Sequence, residues 1–225
     1  IDLLVHSAAQ LLTLAGGPQR GWQLGQLSII ENGALGIQEG RVIAVGDTRT
    51  IRSRFTGRQE LDASGRVVLP GFVDPHTHLV WARDRAAEFE LRLQGRSYMD
   101  ILAAGGGILS TVRETRSSSE DALRRQAGAR LDRMQVYGST TVEAKTGYGL
   151  EQRTELRLLQ TALDLDASHP VTVVPTFMPA HAVPPEFSDD VAGYVDRIVA
   201  EMLPAAEDMW QSAAPGRPLP FVDVF

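Results

Sequence analysis

The spacing of hydrophobic and polar residues changes near position 66 of the 225-residue chain. Before that position, short apolar runs are broken by Gly, Asn and Asp, and no sustained helical period occurs. Residues 34–37 and 41–45 flank Gln38-Glu39-Gly40, a pattern typical of a β-hairpin in which Gly40 supplies a positive φ. We therefore predict a small β-rich, sandwich-like domain over residues 1–66.

Beyond residue 66, apolar runs of strand length alternate with segments of helical periodicity. Strands are predicted at residues 67–73, 140–145, 171–177 and 221–225. Helices are predicted from Ser97 to Gly105, from Ser117 to Gly138, over residues 154–165, and from Ser188 to Pro204, with Val191, Val195, Ile198 and Met202 on the inner face of the last. This alternation indicates an α/β domain with a parallel sheet.

Four strands with helical crossovers favour a TIM-type (β/α)₈ barrel. A complete barrel needs roughly 250 residues, so residues 67–225 are expected to form its N-terminal half. A complete doubly wound sheet of four strands is the less favoured alternative. The first residue is not Met, and the last five residues form a strand with no turn after it, so we expect a truncated barrel.

Composition narrows the classes of function. The chain carries 22 basic and 28 acidic residues, a net charge of −6, which argues against a nucleic-acid partner. It has no cysteine, so a bound metal would need histidine and carboxylate ligands, a set suited to zinc or iron. No apolar stretch is long enough to span a membrane and no signal peptide is recognisable, so we expect a cytoplasmic protein with no membrane association.

A pair of histidines ends the first predicted barrel strand. The apolar run from Val67 leads through Asp74 to His76-Thr77-His78. Side chains at i and i+2 share one face of a strand, and barrel active sites lie at the carboxyl ends of the strands. We therefore predict that His76 and His78 bind a metal ion and that Asp74 supports an imidazole N–H. A chance His-x-His pair is the alternative.

Longer motifs carry a resemblance to a known family. Residues 62–78, Asp-x-x-Gly-x-x-Val-x-Pro-Gly-Phe-Val-Asp-x-His-x-His, resemble the signature of the amidohydrolase superfamily. Residues 84–92, 105–112, 141–150 and 180–184 resemble the imidazolonepropionase family within it. The resemblance implies metal-dependent hydrolysis of 4-imidazolone-5-propanoate to N-formimino-L-glutamate in histidine degradation. Another cyclic amidase or deaminase of the superfamily, or a catalytically incomplete fragment, is the alternative.

The resemblance also assigns roles to individual residues. It implies one Zn²⁺ or Fe ion per subunit at His76 and His78. It implies substrate binding by Arg85, Tyr98, Tyr148 and His181, with His181 also catalytic through an N–H that polarises the ring carbonyl. From the residues alone, an ion pair with Asp84 or Glu88 is the alternative for Arg85, and ordinary packing is the alternative for both tyrosines.

Three further expectations concern the rest of the site. Binuclear relatives use a carboxylated lysine at a strand end, but the resembled family is mononuclear, so we expect Lys145 to form an ion pair with Glu143 or Glu151. The remaining metal ligands, a histidine and an aspartate, and the carboxylate that moves a proton are expected beyond Phe225. The partner is a small-molecule substrate, and a homodimer is an expectation from the resemblance.

Overall fold

The computed structural model describes residues 1–103 and 105–225, without the side chains of Tyr98, Leu102 and Ala103. The chain divides into two compact units, Ile1–Gly71 and Phe72–Phe225. Within the described residues, no helix combines the length and the apolar character needed to cross a membrane.

The first unit is a five-stranded sheet with one short helix. Its elements are β1 (Leu3–Leu12), β2 (Ile29–Gln38), β3 (Arg41–Asp47), α1 (Thr48–Arg54), β4 (Gln59–Asp62) and β5 (Val67–Val68). The strand order is β3-β2-β1-β4, and β5 also pairs with β1. No helical period predicts α1, which forms because the Asp47 carboxylate accepts a hydrogen bond from the Thr50 N–H at 2.9 Å and caps the helix.

The predicted hairpin joins β2 and β3. Ile37 pairs with Val42, and Gln38 pairs with Arg41. Between them, Glu39 and Gly40 have φ values of 51° and 73°. A two-residue turn with positive φ at both positions matches the right-handed twist of the strands it connects. The prediction for Gly40 is confirmed, and Glu39 adopts the same left-handed region without being a glycine.

The second unit is a parallel four-stranded sheet with helical connections. Its elements are β6 (Phe72–Thr77), α2 (Ala86–Leu93), α3 (Tyr98–Ala103), α4 (Ile108–Ser117), α5 (Glu120–Val136), β7 (Ser139–Lys145), α6 (Gln152–Ser168), β8 (Thr172–Ala180), α7 (Val191–Arg197), a π-helical turn (Ile198–Met202), α8 (Leu203–Ala213) and β9 (Phe221–Val224). The strand order β6-β7-β8-β9 is that of about half of a (β/α)₈ barrel, which confirms the predicted fold class.

Helices pack against the second sheet through apolar faces that the sequence spacing predicts. Leu123, Ala127 and Leu131 of α5 are fully buried against Val142 of β7 and Leu158 of α6. Full burial of a leucine side chain stabilises a fold by about 1.5–3 kcal/mol. These helices therefore hold β7 and β8 firmly in the sheet.

The strand predicted over residues 67–73 is wrong as a single element. Val67–Val68 pairs with β1 in the first unit, and β6 begins only at Phe72. Pro70 lies between them and has no amide N–H to donate to a ladder, so pairing is interrupted there. As a result, His76 lies within β6 and His78 directly follows it.

The prediction that Pro204 ends the last helix is also wrong. The π-helical turn leads from α7 directly into α8, and Pro204 lies in the first turn of α8, where a missing N–H is tolerated. Ile198 and Met202 are buried as predicted, but Val191 and Val195 are about half exposed, at 52% and 50%. The π-helical turn is wider than an α-helical turn, so residues before it and residues after it do not share one continuous buried face.

Three other helix ends follow the capping patterns. The Ser97 N–H donates to the Asp100 carboxylate at 3.0 Å, and the Asp100 N–H donates to Ser97 Oγ at 3.1 Å, so a reciprocal capping box starts α3. Ser119 Oγ accepts from Ala122 N–H and caps α5, and Gly138 follows that helix with φ +94°. Helices α2 and α4 have no counterpart among the predicted elements.

Candidate metal and substrate site

Four residues of the predicted site lie at the carboxyl ends of neighbouring parallel strands. His76 and His78 are at the end of β6, Tyr148 follows β7, and His181 follows β8. Because β6, β7 and β8 are adjacent and parallel, their carboxyl ends meet at one edge of the sheet. The topology therefore brings residues from distant parts of the sequence to one place.

Three of these rings form a cluster. The ring centroids of His78 and His181 are 4.3 Å apart with the planes stacked at 20°. Tyr148 lies 4.9 Å from His78 and 5.3 Å from His181, measured between centroids. His76 is exposed, and its centroid is 6.3 Å from that of His78. The structure therefore places His78, Tyr148 and His181 together and His76 at the edge of the cluster.

His78 has two properties that are typical of a metal-binding histidine. Its Nδ1 is buried and has no hydrogen-bond partner. Burial, reinforced by the nearby charge of His181, lowers the pKa of His78 to about 4, so the ring is neutral at pH 7. A buried polar nitrogen without a partner is costly unless a ligand satisfies it, and neutral imidazole is the form that binds metals.

The two histidines would supply only part of the ligands that a metal site needs. Within residues 1–103 and 105–225, no group of three or more His, Cys, Asp or Glu side chains is arranged to hold a metal ion. Zinc sites in proteins use at least three protein ligands. The donor set at His76 and His78 therefore fits a divalent metal but does not complete its coordination.

The hydrogen bond of His181 defines which ring nitrogen is protonated. Its Nδ1 lies 2.8 Å from the carbonyl oxygen of Gly147. A carbonyl only accepts, so Nδ1 must carry the proton. In the neutral ring, Nε2 then presents a lone pair and accepts a hydrogen bond. His181 donates from Nε2 only when the ring is an imidazolium. The predicted donation of an N–H to the substrate carbonyl therefore requires the protonated ring.

Arg85 lies immediately before α2 with its side chain exposed, and its Nε donates to Thr111 Oγ1 at 3.0 Å. The alternative ion pairs do not form: in the described part of the chain, Arg85 makes no salt bridge with Asp84 or Glu88. Glu88 instead accepts from the Gly107 N–H at 2.9 Å. Arg85 is therefore positioned by the α4 segment, with its charge unneutralised by these two neighbours.

Two predicted contacts need comment. Tyr98 begins α3, but its side chain lies outside the described residues. Among the described residues, Asp74 forms no hydrogen bond with an imidazole; its Oδ1 accepts from the backbone N–H of His76 at 3.3 Å. The support of an imidazole N–H by Asp74 therefore stays a prediction.

Lys145 forms a buried ion-pair network. Its Nζ lies 2.8 Å from Glu143 and 2.7 Å from Asp223 of β9, and its side chain is 6% exposed. Burial opposes the charged form, but the hydrogen bonds to Asp223 and Glu143 outweigh it and raise the pKa of Lys145. The expected pair with Glu143 is confirmed, whereas Glu151 instead accepts from Thr154 Oγ1 at 2.5 Å.

Comparison with known proteins agrees with this arrangement. A family model described as the amidohydrolase family matches residues 59–104. Imidazolonepropionases of Chloroflexus aggregans and Symbiobacterium thermophilum are each 49% identical over 228 residues, covering 100% of this chain and 53% and 52% of those proteins. That of Geobacillus kaustophilus is 46% identical, covering 90% of this chain and 49% of the relative.

The chain is similar to proteins of the amidohydrolase family over residues 59–104 and to imidazolonepropionases along its whole length. It spans about half the length of the curated relatives that it matches.

Solved structures share the fold of this chain. Guanine deaminase of E. coli aligns with a TM-score of 0.58 at 14% identity, over 98% of this chain and 51% of that one. An adenosine deaminase from Xanthomonas campestris with bound zinc gives 0.55 at 16% identity, over 99% and 42%. A mutant atrazine chlorohydrolase from Arthrobacter aurescens, complexed with zinc and atraton, gives 0.52 at 18% identity, over 99% and 45%. These identities establish the fold alone.

Sequence patterns miss one side chain that contacts the loop between β7 and α6. Glu155, in the first turn of α6, is fully buried, and its carboxylate accepts from the N–H groups of Gly147, Gly149 and Leu150. A glutamate in the first turn of a helix is normally attributed to favourable interaction with the helix dipole. Its separation of five to eight residues from its partners follows no common motif.

Proposed function

We propose that the protein containing this chain hydrolyses 4-imidazolone-5-propanoate to N-formimino-L-glutamate, by adding water across the cyclic amide. The observation that carries this proposal is the cluster of His78, Tyr148 and His181 at the ends of three adjacent strands. It occurs in a chain 49% identical along its whole length to a relative named imidazolonepropionase. A homodimer in the cytoplasm is part of the same proposal, and sedimentation of the purified protein tests the dimer.

The residues present fit a divalent metal ion, which His76 and His78 would hold together with further ligands. When bound, such an ion supplies a water of lowered pKa as the nucleophile. The buried, unpartnered Nδ1 of His78 supports this role. Histidine and carboxylate ligands suit both zinc and iron, and two of the solved structures with this fold contain zinc.

In this proposal His181 stabilises the charge that develops on the substrate carbonyl oxygen. The Gly147 carbonyl fixes the ring through Nδ1, so Nε2 is the nitrogen available to substrate. The protonated ring donates from Nε2 toward the oxygen, where charge builds up in the transition state. Tyr148, in contact with both histidines, orients the substrate ring. A carboxylate supplied outside these residues moves the proton to the leaving nitrogen.

Arg85 binds the propionate carboxylate, because the planar guanidinium matches two carboxylate oxygens, and Tyr98 is proposed to assist in binding the same carboxylate. Replacing Arg85 by Ala in the full-length protein should raise KM about 10- to 100-fold, since a hydrogen bond to a charged group contributes about 1.5–3 kcal/mol. Steady-state kinetics measure this. Arg83→Ala is the matched control, because Arg83 is an exposed arginine paired with Glu114 at 3.0 Å. An unchanged KM in Arg85→Ala contradicts the assignment.

The alternatives predict different products. Hydrolysis of the imidazolone ring removes its ultraviolet absorbance without releasing ammonia, whereas a deaminase releases ammonia. Metal-loaded, full-length protein that leaves imidazolone-propanoate intact refutes the proposal and favours another cyclic amidase or deaminase. An active full-length protein together with an inactive 225-residue chain identifies this chain as a catalytically incomplete fragment. Intact mass distinguishes the two species.

A further inference from the structure

We propose that Glu155 is a positioning residue that sets the geometry of Tyr148 and His181 by binding the loop between β7 and α6. The activity test of this inference rests on the proposed function, and its structural test does not. The carboxylate of Glu155 touches neither ring in the cluster, so it acts through the backbone of residues 147–150.

Both carboxylate oxygens of Glu155 accept hydrogen bonds from the loop. Oε2 accepts from the Gly147 N–H at 2.9 Å, and Oε1 accepts from the N–H groups of Gly149 and Leu150 at 2.6 and 2.8 Å. The side chain is fully buried. Burial raises the pKa of Glu155, and these hydrogen bonds, with one from the Thr146 side chain, act in the opposite direction.

Burying a carboxyl group among backbone amides is unfavourable compared with burying an apolar side chain of similar size. A residue that served packing alone would have no need of the carboxylate. The three N–H groups that donate to this carboxylate belong to one loop. The hydrogen bonds that offset the free-energy cost of burying the carboxylate are therefore all made to that loop. Glu155 therefore selects a single loop conformation rather than adding general stability.

The bound amides lie where they control both rings. The N–H groups of Gly147 and Gly149 are on either side of Tyr148 in the chain, so fixing them fixes the backbone that carries the phenol ring. The carbonyl of Gly147 is the group that accepts from His181 Nδ1 at 2.8 Å. One carboxylate thus reaches Tyr148 and His181 through a single peptide segment.

The loop fits closely around these contacts. A Cβ added to Gly149 would lie 2.7 Å from the Glu155 nitrogen and 2.9 Å from its Oε1. A Cβ added to Gly147 would lie 2.7 Å from the Cβ of His181, and φ there is +112°. Leu150 also has a positive φ, 53°, which costs energy in a residue with a side chain. Such conformations persist only where surrounding contacts enforce them.

Arg116 of α4 holds the opposite side of the same peptides. Its Nε donates to the Gly149 carbonyl at 2.6 Å and its Nη2 to the Leu150 carbonyl at 3.3 Å. It also pairs with Glu186. The N–H groups of the loop are therefore bound by Glu155 and its carbonyls by Arg116, which leaves the Tyr148 backbone little freedom.

Glu155→Gln provides the structural test, because it keeps the shape but replaces one acceptor oxygen with an NH₂ donor that faces an N–H group. Hydrogen exchange of the segment containing Gly149 and Leu150 should become at least about tenfold faster, with β7 and β8 unchanged. The control is Leu159→Ala, a fully buried leucine of the same helix that packs in a different cluster. Unchanged exchange in Glu155→Gln overturns the proposal.

The activity test is a double-mutant cycle in the full-length protein with Tyr148→Phe. Glu155→Gln should lower kcat/KM about tenfold or more at unchanged metal content, and lower it clearly less in the Tyr148→Phe background. Leu159→Ala should have the same effect in both backgrounds. Additive effects of Glu155→Gln and Tyr148→Phe show that Glu155 does not act through Tyr148 and overturn the inference.

Two outcomes need separate handling. If Glu155→Gln does not fold, Gly149→Ala disturbs the same contact without changing charge and should show the same faster exchange, with Gly216→Ala as its control because nothing lies within 4 Å of a Cβ there. If the wild-type protein is inactive on imidazolone-propanoate, the proposed function fails. The exchange measurement then still decides whether Glu155 holds the loop.

Discussion

The end of β6 and the loops after β7 and β8 meet at one candidate site but differ in the contacts that surround them within this half-barrel. In these residues β6 is an edge strand, and Phe72 and Val73 are 54% and 63% exposed. His76 at its end is exposed as well. By contrast, β7 and β8 are paired on both sides, and Thr176 of β8 is only 1% exposed.

This difference in surroundings separates the residues proposed to orient the substrate from the residues proposed to bind the metal. The two residues proposed to orient an organic ligand are restrained by hydrogen bonds. Glu155 binds the N–H groups of Gly147 and Gly149 on either side of Tyr148, and His181 Nδ1 donates to the Gly147 carbonyl. Within the described residues, the histidines that would bind a metal supply an incomplete ligand set, and of the two only His78 packs in the ring cluster. We infer that the ligand-orienting half is preorganised, whereas the metal half depends on ligands from outside this group of strands.

The largest expected effect tests the metal half. Replacing both His76 and His78 by Ala in the full-length protein should lower kcat by on the order of 10³-fold or more, because a metal-bound nucleophile would be lost. Metal content per subunit, measured by elemental analysis, should fall in parallel. His169→Ala is the control, since His169 bonds Asp132 at 3.2 Å away from the ring cluster. Retention of the full metal content in the double variant contradicts the assignment.

The next effect tests the preorganised half. Gly147→Ala places a Cβ against His181 at a φ of +112°, so we expect a stability loss of about 1–3 kcal/mol together with displacement of the His181 ring. Thermal unfolding and kcat/KM measure the two consequences. Gly216→Ala has a comparable φ of +82° with nothing within 4 Å, so it should lose stability without losing kcat/KM. Equal kcat/KM losses in both variants would mean that His181 displacement has no part in the effect.

A third change probes the link between β7 and β9. Lys145→Met leaves Glu143 and Asp223 without their cation and should lower the free energy of unfolding by about 1–3 kcal/mol. Hydrogen bonding to Lys145 lowers the pKa of Asp223 below its ordinary 3.8, and the pKa of Lys145 is raised above 10.5.

The signs of these shifts define a pH window. The Asp223 contribution is present above pH 3.8 and is lost as the pH falls through its lower folded pKa, whereas the Lys145 contribution is present below pH 10.5 and is lost as the pH rises through its higher folded pKa. The stability difference between wild type and Lys145→Met should therefore be constant near neutrality and shrink at both extremes. Lys145→Arg keeps the charge and should retain most of the wild-type profile. Denaturant titrations across pH decide this, and a difference that grows in acid contradicts the network.

The smallest effect concerns Asp74. Its one hydrogen bond to the His76 N–H is long, 3.3 Å, so Asp74→Asn should change metal affinity less than about tenfold. A residue that supported a metal-binding imidazole would cost about 10- to 100-fold when removed. Competition with a chelator measures the affinity, and a loss in the upper range would support the role that the sequence suggests for Asp74.

Local sequence patterns were enough for much of the fold and for the residue types of the site. The Gly40 turn, the Ser97–Asp100 capping box and the spacing of Leu123, Ala127 and Leu131 depend on interactions within a few residues, which a linear sequence displays directly. The motif ending in His78 identifies the strand end that faces the site. Patterns fail at Pro204, where the π-helical turn lets the helix continue.

Tertiary structure alone decided how the site residues are held. The hydrogen bond that His181 Nδ1 donates to the Gly147 carbonyl joins residues 34 positions apart, and the hydrogen bond from Lys145 to Asp223 joins residues 78 positions apart. Glu155 gains its partners because burial removes water and leaves loop amides as its hydrogen-bond donors. Such contacts form only when strands and helices pack, so the sequence alone determined the residue types of the site, whereas packing determined the burial of His78 and the hydrogen bond that restrains His181.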